Sequence, residues 1–100
     1  MKVLKYKKIE GCLEGSNVKD ILLDDWIDRD FVLYLGKLGK LVIDEGMSKP
    51  FFRIIVKGKY TIKGSQKNMT IRLLLPEKED ENIIPDLTAF IEEWKADEIN

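Results

Sequence analysis

The side chains able to do chemistry are few. Cys12 is the only cysteine and histidine is absent. The commonest general base at neutral pH is therefore missing, and with it the Ser–His and Cys–His nucleophile pairs and histidine-based metal sites. One cysteine builds neither a structural zinc site nor an intramolecular disulfide. Cys12 has two readings. It is a reactive thiol ahead of a helix N-terminus, where thiolate is favoured, or a buried core side chain. With no resolving cysteine, any redox role would be intermolecular.

Gly11-Cys12-Leu13-Glu14-Gly15-Ser16 has the strand, glycine loop, helix context of a phosphate cradle. It lacks both Gly-Lys-Ser/Thr and Gly-x-Gly-x-x-Gly, and Glu14 and Asp20 would repel an anion. Asp24, Asp25, Asp28 and Asp30 cluster around Trp26. Four carboxylates can hold calcium or magnesium, but this is not the spacing of an EF-hand loop. A solvated helix end is the simpler reading. The expectation is a non-catalytic protein with no metal and no cofactor.

Charge supplies the positive signal. The net charge of −1 hides blocks of opposite sign. Residues 1–9 carry +4, residues 10–30 carry −5, residues 49–76 carry +7 with no acid at all, and residues 77–100 carry −7. The second positive block coincides with alternating apolar and polar residues, as in a half-buried sheet. That alternation puts Arg53, Lys57, Lys63 and Arg72 on the polar face, with Lys59 and Lys67 in the turns. Such a face suits an acidic protein or a phosphate-bearing partner, with Phe51 near enough to stack on a base. It also suits simple solubilisation, and lysines on strands discourage edge-to-edge aggregation.

The elements that must position this face follow from periodicity. Residues 2–9 read as a first strand. Asn17 reads as an N-cap, and Val18, Ile21, Leu22 and Trp26 at helical spacing predict a helix over about 17–27. The apolar run Phe31-Val32-Leu33-Tyr34-Leu35 reads as a strand, and Leu41-Val42-Ile43 as its antiparallel return. Phe52, Ile54 and Val56, then Tyr60 and Ile62, then Met69, Ile71, Leu73 and Leu75 read as a three-stranded meander with a two-residue Gly58-Lys59 turn. Pro76 ends it. Ile83, Ile84, Leu87, Phe90, Ile91 and Trp94 predict a C-terminal helix over about 85–97. Trp26 and Trp94 are each expected to complete a helical apolar stripe.

The expected order is β-α-β-β-β-β-β-α in one domain over residues 1–100. This is a two-layer α+β fold, with a mostly antiparallel sheet of five to six strands and two amphipathic helices on one face. One hundred residues, 44% of them hydrophobic, suffice for a core without staples. The first residues have lysines but no apolar stretch behind them, so no signal peptide is expected. No apolar run approaches the ~18 residues of a membrane span. A single cysteine suits a reducing, cytoplasmic setting.

Two nucleic-acid-binding patterns come near this order and neither is matched. Double-stranded RNA-binding domains have fewer strands and a lysine cluster where the last helix here is acidic. The RNA-recognition motif has another element order, and Lys57-Gly58-Lys59-Tyr60 does not continue into its aromatic signature. The leading expectation is an interaction module that docks a protein partner or a second copy of itself. Nucleic-acid binding by the same basic face is the second reading, and a Cys12-dependent thiol protein the third.

Overall fold

The computed structural model describes residues 1–10, 17–46, 48, 50–78 and 80–95. Its strands are β1 (Val3–Ile9), β2 (Val18–Leu23), β3 (Lys40–Asp44), β4 (Phe51–Val56), β5 (Tyr60–Ser65) and β6 (Thr70–Leu74). Helix α1 (Arg29–Leu35) runs into a 3-10 turn, Gly36–Leu38, and helix α2 (Ile83–Glu92) follows β6. The six strands form one open sheet in the order β1-β2-β6-β5-β4-β3, every neighbouring pair antiparallel. This is the α+β class expected from the sequence. Among the described residues no helix is long and apolar enough to cross a membrane.

Strand period dictates which residues fill the core. Ile21, Ile71, Leu73, Ile62, Ile54 and Phe52 all project to one face and are buried. Phe31, Val32 and Leu35 of α1 and Leu87 and Ile91 of α2 close over them in a single cluster. The helices meet through aromatic rings. Tyr34 stacks on Phe90 with centroids 4.4 Å apart, and Trp94 packs on Phe31 and Tyr34 at 6.0 and 5.0 Å. The Tyr34 hydroxyl donates to the Phe90 carbonyl at 2.5 Å. Gly39, just before β3, sits where a Cβ would lie 2.3 Å from the Ile55 carbonyl oxygen, so only glycine lets the chain enter the sheet there.

Two segments exchange identity relative to the sequence reading. The helix expected over 17–27 is strand β2, and the strand expected over 31–35 is helix α1. β2 lies inside the sheet between β1 and β6, and residues on both of its faces are buried or half-buried. Val18 faces away from the helices, wedged between Ile9 and Leu74, while Ile21 and Leu23 face them. Apolar residues on both faces of a buried strand imitate the i, i+3, i+4 pattern. Asn17 is not an N-cap; its side-chain amide donates to the Pro76 carbonyl at 3.0 Å.

In α1 the run of apolar residues concealed a helical period. Phe31, Val32 and Leu35 are buried while Leu33 is exposed. The start signal was Asp28, whose carboxylate accepts the Phe31 N–H at 2.8 Å. Leu41-Val42-Ile43 is a strand as expected, but it pairs with β4 instead of returning on 31–35. The β4–β5 connection has three residues, Lys57-Gly58-Lys59, with Gly58 at φ 77°. Trp26 completes no stripe. It lies in the β2–α1 connection with 61% of its surface exposed. The C-terminal helix starts earlier and ends sooner than the expected 85–97, so Trp94 lies past the end of α2 and completes no helical stripe, though it packs against the core cluster.

Asp28→Ala removes the α1 cap and is expected to cost about 1 kcal/mol in urea denaturation. An unchanged midpoint would contradict the cap. The three tyrosines give a pH expectation. Tyr6 is pushed up by burial, partly offset by its 2.6 Å hydrogen bond with Thr88, and further by Glu92. Tyr34 is raised by burial and Glu93, and Tyr60 by burial, Asp86 and Tyr6. The fold thus holds these protons more tightly than the unfolded chain does. Their contribution is complete below the ordinary value of 10.0 and is lost as pH rises through the higher folded values. Tyrosinate absorbance should rise above pH 10.0 with delay in the native protein and without delay in denaturant.

Candidate functional site

The register that buries the core also fixes the opposite, outer face. Arg53 pairs with Lys63, Lys63 with Arg72, Arg72 with Asp20, and Asp20 with Lys7. Val42 pairs with Arg53 at the other end of this row. Five adjacent strands therefore present Arg53, Lys63, Arg72, Asp20 and Lys7 side by side, at the ~4.8 Å strand spacing. In the flanking row Asp44 is opposite Phe51 and Phe51 is opposite Ser65.

The outer face forms an open cleft of about 860 Å³ whose lining includes Arg53, Lys63, Arg72, Asp20, Val42, Asp44, Phe51, Ser65, Asn68 and Thr70. Phe51 and Val42 are 49% and 36% exposed, an apolar patch beside the cations. Arg72 grips Asp20 in a fork, Nε to Oδ1 at 2.8 Å and an Nη to Oδ2 at 3.3 Å. That pair offsets one positive charge. The Arg53 side chain makes no hydrogen bond or ion pair among the described residues.

Arg53 and Lys63 are directly opposite each other, as are Lys63 and Arg72. Like charges in directly opposed positions repel, by a few tenths of a kcal/mol per pair when solvated. Asp20 relieves this at the Arg72 end. The face can accept an anion at Arg53, and an apolar group against Phe51 and Val42.

The six basic residues marked in the sequence do not converge. Arg53, Lys63 and Arg72 share the row. Lys57 and Lys59 sit in the β4–β5 turn at one end of the sheet. Lys59 borders a second cleft on the helix side, of about 570 Å³, beside Asp80 and Asp86. Lys67, at φ 60°, lies in the β5–β6 turn at the opposite end. Its N–H donates to the Ile27 carbonyl at 2.9 Å. The sequence marks none of the acidic or apolar partners of this row, among them Asp20, Val42 and Asp44. Helical spacing puts Asp20 on a helix, and only its register opposite Arg72 reveals it.

Three of the four clustered aspartates serve the backbone. Asp24 accepts from the Lys2 N–H, Asp25 from the Trp26 N–H and Asp28 from the Phe31 N–H. Among the described residues no three acidic or thiol side chains are grouped to hold a metal ion. Cys12 and the glycine loop 11–16 lie outside the described residues.

The Asp20–Arg72 fork is partly exposed, so its coupling is expected to be about 1 kcal/mol in a double-mutant cycle of Asp20→Asn and Arg72→Gln followed by urea denaturation. Coupling near zero would show that the pair merely coexists. No protein-family model, curated protein or solved structure significantly matches the chain, so its site is defined by this geometry alone.

Proposed function

We propose that this protein is a non-catalytic interaction module whose outer sheet face docks an acidic, partly apolar segment of a protein partner. The observation that carries the reading is the Arg53–Lys63–Arg72 row laid beside exposed Phe51. A carboxylate beside Arg53 gives its guanidinium an ion-pair partner, and a neighbouring apolar side chain covers Phe51 and Val42. Aromatic and arginine side chains are the usual anchors of such contacts.

Nucleic acid fits the same surface less well. Asp20 and Asp44 line the cleft, where they oppose a continuous phosphate chain. The net charge of −1 and pI of about 5.5 give no long-range attraction to a polyanion. Of the two aromatic residues lining the cleft, Phe52 is buried and Phe51 alone is exposed, whereas single-strand binders stack successive bases.

The test compares the native chain with Arg53→Glu/Lys63→Glu, both checked for an unchanged thermal transition. Each is used for affinity purification at low salt, and each is titrated with fluorescent single-stranded and duplex oligonucleotides. Protein partners that are retained by the native chain and lost at least about tenfold by the variant support the reading. Partners indifferent to the reversal overturn it. So does tight oligonucleotide binding that falls steeply with salt, which assigns the face to nucleic acid.

A further inference from the structure

The open sheet has two edges, and they differ in kind. β1 carries a register shift between Val3 and Lys5 and the lysines Lys5, Lys7 and Lys8. Bulges and lysines are the usual means by which an edge strand refuses another strand. β3 has neither a bulge nor a proline. It pairs with β4 in unbroken register over five residues. Apart from that pairing, β3 makes no backbone hydrogen bond among the described residues, so its outer row of N–H and C=O groups is open.

The sequence of β3, Lys40-Leu41-Val42-Ile43-Asp44, is complementary to its own reverse. Laid antiparallel on a second copy about Val42, it places Lys40 opposite Asp44 of the partner subunit, and Asp44 opposite Lys40 of the partner subunit. Leu41 then faces Ile43 of the partner subunit. The faces agree as well. Lys40, Val42 and Asp44 belong to the outer face, so two opposite-charge pairs flank a contact between the two valines. Leu41 and Ile43 are half-buried on the helix side and pack against the core cluster, so the pairing extends the apolar face across the junction. No such match exists for β1, where antiparallel self-pairing sets lysine against lysine.

We infer that β3 is a self-association edge, through which two copies join antiparallel about a two-fold axis into one continuous sheet. Symmetric isologous pairing of this kind is the commonest route to a dimer. Five residues per strand make a small contact, so the dimer is weak and concentration-dependent. Val42 and Asp44 also line the outer cleft, but the inference rests on the pairing of the β3 edge and is read from the oligomeric state.

Sedimentation equilibrium of the full chain over micromolar to millimolar concentration tests it. The native average mass is expected to rise from monomer towards dimer. Asp44→Lys alone and Lys40→Asp alone each replace both opposite-charge pairs by like-charge pairs, and each is expected to weaken the dimer about tenfold or more. The double variant Lys40→Asp/Asp44→Lys restores the complementarity and is expected to restore the native association. Circular dichroism and thermal unfolding confirm that all three variants fold. Lys8→Glu, on β1 at the opposite edge of the sheet, is expected to leave the dimer unchanged. A monomer at every concentration overturns the inference and leaves the edge to a strand from another protein. A dimer indifferent to the single reversals, or not restored in the folded double variant, also overturns it.

Discussion

Ile54, Ile62, Leu73, Ile71 and Ile21 are fully buried beneath two helices, and the side-chain period of a strand is two. Burying these residues therefore forces Arg53, Lys63, Arg72 and Asp20 to the other side of the same strands. A one-residue slip in any strand would carry isoleucine or leucine into water and a charge into the core, which is why the register is so strongly specified. The cationic row is a consequence of the core register. Each outer residue can be exchanged without touching a core contact, so the outer face can be tested by substitution while the fold is held constant.

The same period explains what was legible in the sequence. From Phe52 to Leu75 alternation made the three strands of the meander and the outer placement of Arg53, Lys63 and Arg72 readable, though not its turn. The α2 stripe from Ile83 to Ile91 was legible from its helical period, but not the helix end at Glu92, short of Trp94. Alternation failed where both faces of a strand are covered. Val18 is held between Ile9 and Leu74 on the outer face, and its burial there imitates a helical stripe. In α1 three buried residues and one exposed leucine are packed into five positions, and β-branched and aromatic character outweighed a cap at Asp28 that was present in the sequence. Strand order depends on long-range pairing. No local pattern says that β2 inserts between β1 and β6.

That misassignment has a consequence for charge. The sequence blocks suggested a basic sheet opposed to acidic helices. Moving 18–23 from helix to strand places Asp20 within the basic row, and β3 adds Asp44 to the same cleft. The helix side keeps Asp86, Glu92 and Glu93. The outer face is therefore a mixed surface with a local excess of positive charge around Arg53 and Lys63, narrower than the sequence blocks implied.

A solubilising face and a binding face differ in how their charges are arranged. Solubility is served by alternating signs, which also gives favourable cross-strand pairs. Here Arg53, Lys63 and Arg72 stand consecutively on three neighbouring strands, with Asp20 forked onto Arg72. Directly opposed like charges oppose the pairing by a few tenths of a kcal/mol each. An exposed phenylalanine next to the same row adds a second departure from what solubility asks. A carboxylate beside Arg53 with an apolar neighbour against Phe51 answers both features at once, and this supports reading the face as a docking surface for a protein segment.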